Sequence, residues 1–490
     1  MYPTFDLYNH VAARAIEARA IADLGGDDVL MRRAGHDAWQ YLLTHWPQVQ
    51  RIDVVCGPGN NGGDGYVLAQ HAQQSGRRVR VVHVAGHTPR TAEAQRAADE
   101  YRAAGGQMEV VDVLAGDAEL VVDALFGIGL TRALEGPVAT LVASINACGA
   151  PVLALDTPSG VDADRGHVQG VAVRATHTLQ FIVAHQGLYT GDALEYVGQR
   201  ALAALDINTQ LATASPSAER WVAARLRDAL PPRRRNTHKG ESGHVLAIGG
   251  NHGSGGALLL CVQAALRAGA GLVSGATRSA HVPALLVRCP EAMAHAVEAQ
   301  EQLRPMIERA SVLALGPGLG TDAWAREMFA AALAAGKPAV IDADALNLLA
   351  ERPDARLPAA TVLTPHPGEA GRLLGITTAD VQADRYGAAA ALVARFGVAI
   401  ILKGAGTVVA APGQRPRVIA AGNPGMAVGG MGDLLTGVTA ALLAQGLNAF
   451  DAASHAALLH GLAGDAAAAE GERGLLPSDL LPHLRRLANP

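Results

Sequence analysis

Short apolar runs alternate with helix-length, alanine-rich segments along both halves of this chain, and many of the runs end in a glycine-rich turn. A strand that leads through a helix to another strand is typical of a parallel sheet with right-handed crossovers. In the first half, a helical pattern over residues 7–46 precedes the predicted strands. These strands are predicted at residues 52–56, 79–84, 109–113, 120–125, 152–155 and 179–183, with helical stretches at 66–75 and 137–148 between some of them.

The second half repeats this alternation with different turns. A small, polar, proline-broken segment at residues 213–217 separates it from the first half, which indicates a linker. The 490 residues therefore predict an α/β protein of two domains, residues 1–214 and 224–490. The strands of the second half are predicted at residues 244–248, 272–276, 312–315, 339–341, 361–363, 399–402 and 418–420.

Composition argues against several classes of protein. Charged residues make up 17% of the chain and the net charge is −5, which disfavours a disordered chain and a nucleic-acid partner. The four cysteines lack metal or redox spacing, and neither a signal-peptide pattern nor a run of membrane-spanning length occurs. We therefore expect a cytoplasmic soluble enzyme that acts on small molecules, with no nucleic-acid and no membrane partner.

A glycine-rich turn near the carboxy terminus suggests a phosphate site. The residues Gly429-Gly430-Met431-Gly432-Asp433 stand directly before an apolar run at 434–443. Glycines let the backbone approach an anion closely, and free N–H groups at a helix start attract phosphate. Asp433 would then stand beside the phosphates and could accept a proton from an attacking hydroxyl. An ordinary helix N-cap is the commoner explanation for such a motif in isolation.

Three further turns follow predicted strands of the same half. Ligands bind beyond the carboxyl ends of the strands in open α/β sheets, so these turns are expected at one edge of the sheet. Each alone is typical of a tight strand–helix connection, but together they indicate a site. The turns are Gly316-Pro317-Gly318-Leu319-Gly320, Thr364-Pro365-His366-Pro367-Gly368-Glu369 and Lys403-Gly404-Ala405-Gly406-Thr407.

The order of these turns resembles the ribokinase-like superfamily, and most closely its NAD(P)H-hydrate dehydratase branch. The resemblance extends over about residues 237–487. The magnesium-site pattern N-x-x-E of the superfamily is His366-Pro367-Gly368-Glu369 here, and the histidine favours the dehydratase branch over sugar kinases. His238-Lys239-Gly240, Arg267-Ala268-Gly269-Ala270-Gly271 and Asp342-Ala343-Asp344-Ala345-Leu346-Asn347 also carry the resemblance.

The resemblance implies a carboxy-terminal ribokinase-like α/β domain that dehydrates the (6S) hydrate of NADH or NADPH with Mg²⁺ and ADP or ATP. The terminal phosphoryl group would be transferred to the C6 hydroxyl, and phosphate would then leave more readily than hydroxide. Asp433 would be the catalytic base. The hydrate pocket would be lined by Ala257, Gly318, His366 and Asp433, and the nucleotide would be held by Lys403, Gly404, Ala405, Gly406, Thr407 and Gly432.

The first half has its own glycine-rich segment, Asn60-Asn61-Gly62-Gly63-Asp64-Gly65, after the strand predicted at residues 52–56. It lacks the lysine of a P-loop, and a structural turn explains it as well as a dinucleotide site does. Asp123 and the segment Asp156-Thr157-Pro158-Ser159-Gly160 lie at two other strand ends. Asn61, Asp123 and Ser159 offer only oxygen ligands with few carboxylates, which suits a monovalent cation better than Ca²⁺.

This set resembles the YjeF-type NAD(P)H-hydrate epimerase family over about residues 5–205. The resemblance implies an amino-terminal, Rossmann-like three-layer α/β/α domain with K⁺ bound by Asn61, Asp123 and Ser159. Asp156 would be the catalytic acid–base that interconverts the C6 epimers, with an N-cap or turn-stabilising role as the alternative. The hydrate would contact Asn60, Asn61, Gly62, Gly63, Asp64, Gly127, Ile128, Gly129, Leu130, Thr131, Arg132, Ala133 and Asp156.

The fusion of the two halves supports a paired function, because an epimerase supplies the one epimer that the dehydratase accepts. Two alternatives stay open. The second half could be a kinase for a vitamin precursor or sugar, or the first half could be a non-catalytic binding module. ADP and ATP also both stay open, although fused members of the group favour ADP. We further expect a homo-oligomer, and a homotetramer in particular.

Overall fold

A computed structural model describes residues 6–24, 26–130, 132–207, 214–230 and 232–489. The chain divides into two compact units, Met1–Ala218 and Glu219–Pro490. Both units are α/β, as the alternation of strands and helices predicts. Thr213, the first residue of the predicted linker, lies outside the described residues, and the domain limits 1–214 and 224–490 stay predictions.

Among the described residues, no helix is both long and apolar enough to cross a membrane.

In the first unit, the helical pattern predicted over residues 7–46 forms two helices rather than one, and Gly26 precedes the second with φ 169°. Its helices are α1 His10–Leu24, α2 Asp27–His45, α3 Asn60–Gln74, α4 Ala92–Ala103 and α5 Gly136–Ala147, with short 3-10 helices at Gln186–Tyr189 and Gly191–Glu195. Its strands are β1 Asp6–Leu7, β2 Arg51–Cys56, β3 Arg78–His83, β4 Met108–Val110, β5 Leu120–Ala124, β6 Val152–Leu155, β7 His177–Phe181 and β8 Gln199–Ala203.

Strands β2 to β8 form a parallel sheet in the order β4-β3-β2-β5-β6-β7-β8. Along the chain, β3 and β4 are added on one side of β2, and β5 to β8 are then added on the other side of β2. This reversal opens a crevice between the carboxyl ends of β2 and β5, which is where open α/β sheets bind ligands. Asn60 and Asn61 follow β2 and Gly127 follows β5, so these predicted site residues stand at the crevice.

The second unit is larger, and its first strand begins at the boundary between the units. Its strands are β9 Ala218–Trp221, β10 His244–Ile248, β11 Leu272–Thr277, β12 Met293–Ala296, β13 Val312–Leu315, β14 Ala339–Ile341, β15 Val362–Leu363, β16 Ala399–Leu402, β17 Val408–Ala410 and β18 Arg417–Ile419. Its helices are α6 Leu226–Ala229, α7 Gly255–Arg267, α8 Val282–Arg288, α9 Gln300–Arg309, α10 Ala323–Ala334, α11 Ala343–Ala350, α12 Pro367–Leu374, α13 Thr378–Ala383, α14 Arg385–Phe396, α15 Met431–Ala444, α16 Ala449–Ala467 and α17 Pro477–Leu487. Short 3-10 helices occur at Ala223–Arg225, Lys239–Ser242, Ser279–His281, Pro424–Met426 and Ala468–Glu470.

The sheet of the second unit runs in the order β9-β18-β17-β16-β15-β14-β13-β10-β11-β12. Neighbours from β16 to β12 are parallel, whereas β17 runs antiparallel to both β16 and β18. The chain reverses its direction of growth between β10 and β13, which opens a second ligand crevice at their carboxyl ends. One apolar core lies on each face of the sheet, with α7, α15 and α16 on one side and α10 to α14 on the other.

Candidate active sites

Asn61 is a buried amide in the first turn of α3. Its side chain is 9% exposed, and neither its amide oxygen nor its amide nitrogen has a hydrogen-bond partner among the described residues. A buried polar group without a partner costs about 1–3 kcal/mol, and such groups call for a ligand, an ion or ordered water. The start of α3 is therefore suited to receive a ligand.

Asp123 and Ser159 form a buried pair beside the same crevice. Ser159 Oγ donates to Asp123 Oδ1 at 2.7 Å, and the Ser159 backbone N–H donates to Asp123 Oδ2 at 2.8 Å. Burial raises the pKa of Asp123 to about 6, and the hydrogen bonds from Ser159 and Leu125 oppose that rise. With Asn61, this pair offers two neutral oxygens and one carboxylate, a donor set that suits a monovalent cation.

Asp156 follows β6 and is held by two donors. Its φ of 65° lies in the left-handed region, and strain of this kind in a non-glycine residue concentrates at functional sites. The Ile128 backbone N–H donates to Asp156 Oδ2 at 3.1 Å, and His185 Nε2 lies 2.7 Å from Oδ1. A Cβ atom on Gly127 would come within 2.6 Å of Oδ2, so this position needs glycine.

Asp64 lies in α3 on the same side of the unit as Asp156. Burial raises the pKa of Asp64 well above its ordinary value, and the negative charges of Asp156 and Glu17 raise it further. Asp64 therefore favours the protonated form. A protonated carboxyl group of this kind can donate a hydrogen bond at an active site.

The glycines of the first motif have a packing role that the sequence does not reveal. The helix begins at Asn60, so Gly62 and Gly63 lie inside α3 and not in a turn before it. A Cβ atom would lie 2.0 Å from the Gly57 carbonyl oxygen at position 62 and 2.4 Å from Met31 Cε at position 63. Close packing against the Gly57 backbone and the Met31 side chain thus explains these glycines, and their substrate contacts stay predictions.

The other predicted hydrate contacts lie in the connection between β5 and α5. Gly127, Ile128, Leu130 and Ala133 are partly exposed, and Gly129 and Arg132 are exposed. Thr131 lies outside the described residues. The exposed connection borders Asp156 through Gly127 and Ile128, so the crevice is open on this side.

In the second unit, a buried ion pair occupies the carboxyl ends of β14 and β16. Lys403 Nζ donates to Asp342 Oδ1 at 2.7 Å and lies 3.6 Å from Glu369 Oε2. Thr436 Oγ1 donates to Asp342 Oδ2 at 2.8 Å. Burial acts to raise the pKa of Asp342, which is 1% exposed, but Lys403 and the hydroxyl donors lower it on balance. Asp342 is therefore a buried carboxylate whose negative charge is stabilised by Lys403.

Asp433 stands in the first turn of α15, after Gly430 in the left-handed region at φ 97°. Burial and the negative charge of Asp342 raise its pKa to about 7, against the opposing effect of Lys403. A Cβ atom on Gly432 would lie 3.2 Å from Lys403 Nζ, so α15 begins directly over the ion pair. A carboxylate with a pKa near neutrality is well matched to general-base catalysis.

The turn at residues 403–407 is supported by a buried arginine. Arg385 is 0% exposed and donates to two backbone carbonyls at the start of the turn, at 3.2 and 3.1 Å. Gly404 and Gly406 have φ values of 128° and 61°, which favour glycine. The hydrogen bonds from Arg385 thus fix the backbone of the predicted nucleotide turn.

His366 and Glu369 cap α12. His366 Nδ1 accepts from the Gly368 N–H at 3.0 Å, and Glu369 Oε2 accepts from the His366 N–H at 2.7 Å. The side chain of His366 is 54% exposed, whereas that of Glu369 is 8% exposed. The histidine is therefore open to a ligand, and the glutamate of the magnesium pattern also serves the helix cap.

Ala257 and Gly318 meet at the second crevice. The turns after β10 and β13 are joined by backbone hydrogen bonds from Gly250 to Pro317 at 2.9 Å and from Asn251 to Gly318 at 2.7 Å. Gly318 has φ 60°, and a Cβ atom there would lie 3.2 Å from Ala257 Cβ. These two predicted pocket residues are therefore neighbours.

Three residues with central contacts are absent from the predicted sites. Asp342 lies in a motif that follows a predicted strand, so the rule that sites lie at strand ends could have found it. His185 ends the apolar run at residues 181–184, and a polar residue at that point is a weaker signal. Arg385 carries no local signal, because its role depends on a turn 17 residues further along the chain.

Two family models match the chain, one in each unit. A model described as YjeF-related protein N-terminus matches residues 27–187, and a model described as NAD(P)H-hydrate dehydratase matches residues 245–486. Among the described residues, no group of three or more His, Cys, Asp or Glu residues could hold a metal ion.

Similar structures cover the second unit. The ADP/ATP-dependent NAD(P)H-hydrate dehydratase of Bacillus subtilis, co-crystallised with ATP and Mg²⁺, is 30% identical with a TM-score of 0.50, over 55% of this chain and 96% of that chain. A ribokinase-like superfamily protein of Enterococcus faecalis is 32% identical with a TM-score of 0.52, over 55% of this chain and 94% of that chain. The ribokinase-like fold predicted for the second half is confirmed.

Relatives match over both units. The bifunctional NAD(P)H-hydrate repair enzyme of Coxiella burnetii is 44% identical over 99% of each chain. The enzyme of that name from Escherichia coli is 42% identical over 94% of this chain and 89% of its own. Matches of this length to two-activity repair enzymes do not favour the small-molecule kinase alternative. The chain belongs to the family of bifunctional NAD(P)H-hydrate repair enzymes.

Proposed function

We propose that the second unit removes water from the (6S) hydrate of NADH or NADPH with ADP or ATP as phosphoryl donor, and that Asp433 is its base. The observation that carries this proposal is the Asp433 carboxyl group, with a pKa of about 7, in the first turn of α15 beside Lys403 and Asp342. The name of the Bacillus subtilis relative supports both nucleotides, and its crystals support ATP with Mg²⁺.

The chemistry has two stages in this proposal. The C6 hydroxyl oxygen bonds to the terminal phosphorus of ADP as the bond from that phosphorus to AMP breaks, and Asp433 takes the hydroxyl proton. Phosphate then leaves C6 and a proton leaves C5, which restores the 5,6 double bond. The backbone N–H groups at the start of α15 and the turn at residues 403–407 would hold the phosphates. Ala257, Gly318 and His366 would hold the hydrate.

Mg²⁺ fits this site as a partner of the nucleotide. Mg²⁺ bound with nucleotides is usually held by one or two carboxylates together with phosphate oxygens, and not by an all-protein cage. Glu369 would be its protein ligand, because its Oε1 atom is not used by the hydrogen bond of the α12 cap. The ion would neutralise charge on the phosphate oxygens when bound.

For the first unit we propose epimerisation of the hydrates at C6. Asp156 takes the C6 hydroxyl proton as the C6–N1 bond breaks to give an aldehyde and N1 takes up a proton, and the reverse steps close the ring on the other face of the aldehyde. Asp64 would donate a hydrogen bond in its protonated form, and the crevice between β2 and β5 would hold the hydrate. The unpartnered amide of Asn61 supports a K⁺ site with Asp123 and Ser159. The bound K⁺ would supply positive charge beside the crevice.

Asp156→Asn is expected to slow epimerisation by roughly 10²- to 10⁴-fold, the usual contribution of a general acid–base, and to leave dehydration unchanged. The assay follows the absorbance of reduced nicotinamide recovered from mixed R and S hydrates with Mg²⁺, K⁺ and either ADP or ATP. Wild type should recover all of the hydrate, whereas the variant should stop at the S fraction and continue only at the spontaneous rate. Equal recovery by both proteins would remove Asp156 from the reaction. A wild type that stops at the S fraction would make the first unit a binding module.

Replacing K⁺ with tetramethylammonium is expected to slow epimerisation roughly tenfold or more, because the site formed by Asn61, Asp123 and Ser159 loses its ion. Asn61→Leu should be slow in both salts and should no longer respond to K⁺. Dehydration of pure S hydrate in the same two buffers is the control and should not change. Epimerisation that is equally fast in both salts would exclude the K⁺ site.

The remaining proposals concern the whole protein. We propose that it is cytoplasmic and forms a homo-oligomer, specifically a homotetramer, because proteins of the two resembled families assemble. Light scattering of the purified full chain would give four chain masses, and a mass of one chain would contradict the proposal.

A further inference from the structure

His185 is the one side chain that contacts the Asp156 carboxylate in the part of the chain that the structure describes. His185 Nε2 lies 2.7 Å from Asp156 Oδ1, and the side chain of His185 is 2% exposed. Its backbone N–H donates to Gln180 Oε1 at 2.8 Å, and this hydrogen bond holds the backbone from which the ring extends. The His185 ring is therefore shielded from water.

The other ring nitrogen of His185 defines the form of the ring. Nδ1 is buried and has no hydrogen-bond partner among the described residues. A proton on Nδ1 would be a buried donor without an acceptor, which favours the tautomer with its proton on Nε2. Nε2–H then donates to Asp156 Oδ1.

The carboxylate of Asp156 is thus held at both oxygens, by the His185 ring at Oδ1 and by the Ile128 backbone N–H at Oδ2. Donors of this kind fix the plane of a carboxylate. The other charged groups around the crevice do not replace them. Asp64 favours its protonated form, and Arg14 is close to Gly129 at the outer end of the connection.

We propose that His185 is a positioning residue for epimerisation, which as an Nε2–H donor orients the Asp156 carboxylate. This inference rests on the proposed epimerase function and adds a residue to it. His185 does not take up the substrate proton in this account. It acts through the hydrogen bond to Asp156.

The test compares two substitutions at this position. His185→Leu removes the donor and is expected to lower kcat of epimerisation about 10- to 100-fold, because the carboxylate is no longer held at Oδ1. His185→Gln can place an amide N–H near the Nε2 position, and it should restore the rate to within a few-fold of wild type. KM for the hydrate should change little in either variant.

Controls separate the inference from the proposed function. His167→Leu breaks another histidine–aspartate pair of the first unit, His167 with Asp192 at 2.8 Å, and should epimerise like wild type. Dehydration of S hydrate by each full-length variant reports an intact second unit, and thermal denaturation reports the first. A wild type without epimerisation would refute the proposed function itself. If wild type epimerises, an unchanged rate in His185→Leu would overturn the inference, and so would equal slowing of the Leu and Gln variants.

Discussion

Asp433→Asn is expected to slow nucleotide-dependent dehydration by roughly 10²- to 10⁴-fold, because the C6 hydroxyl loses the base that takes its proton. The amide keeps the size of the side chain and its place in α15, so the fold and the epimerase activity of the first unit should survive. Initial rates with pure S hydrate and with R hydrate measure the two activities separately. Asp479→Asn, in the first turn of α17, is a matched control that should keep wild-type dehydration.

The pH dependence of dehydration by the wild type gives a second test of Asp433 as the base. A base must be ionised to act, so the wild-type dehydration rate should rise with pH through about 7. The stability effect has the opposite direction. Because the folded-state pKa lies above the ordinary value of 3.8, the ionisation of Asp433 lowers the stability of the folded protein as pH rises from about 4 to 7. Above that range Asp433→Asn should therefore unfold at the same Tm as wild type or higher. A folded variant with full dehydration activity would refute the base assignment.

Lys403→Met is expected to destabilise the second unit by about 3–5 kcal/mol, because Asp342 would be left as a buried charge without its partner. Asp342 is 1% exposed, and Lys403 Nζ at 2.7 Å is its cation. Since the folded-state pKa of Asp342 is lowered, its ionised form contributes stability above the ordinary pKa, and that contribution is lost as pH falls. The loss in the variant should therefore be largest at neutral pH and smaller in acid. Scanning calorimetry of the full chain measures it.

A double variant separates the two roles of Lys403. Asp342→Asn with Lys403→Met removes both charges, so it should recover much of the lost stability. ADP should still raise the Tm of wild type by ligand linkage and should fail to raise that of the double variant if Lys403 also binds nucleotide. Lys337→Met is the control, since Lys337 donates to the backbone carbonyls of Glu308 and Ala310. A single variant as stable as wild type at neutral pH would contradict the importance of the ion pair.

Central strands could be predicted because their apolar runs are continuous, and β14 and β16 have the predicted bounds. Strands β1, β8, β9, β12 and β17 were not predicted. In β12, an edge strand, Met293 is 38% exposed, so no apolar run marks it. The start of α3 was placed too late, because a segment of five glycines in the nine residues 57–65 is typical of a turn. Gly62 and Gly63 are instead required by close packing against Gly57 and Met31.

The site residues also fall into two groups, those that the local sequence can predict and those that depend on contacts between distant parts of the chain. Asp433 and Lys403 could be predicted because a parallel sheet gathers its strand ends at one edge. The pairing of Lys403 with Asp342 joins residues 61 positions apart, and His185 reaches Asp156 across 29 positions. No periodicity or motif spacing specifies such pairs, since they depend on the order of strands in the sheet.

The central claim is that two separate sites on this chain act in turn on one freely diffusing hydrate. Its most direct test mixes equal amounts of Asp156→Asn and Asp433→Asn protein with R and S hydrates of NADH, Mg²⁺, K⁺ and ADP. The mixture should recover all of the reduced nicotinamide, faster than spontaneous epimerisation allows, although Asp156→Asn alone stops at the S fraction and Asp433→Asn alone recovers almost none. A mixture that also stops at the S fraction would contradict the account.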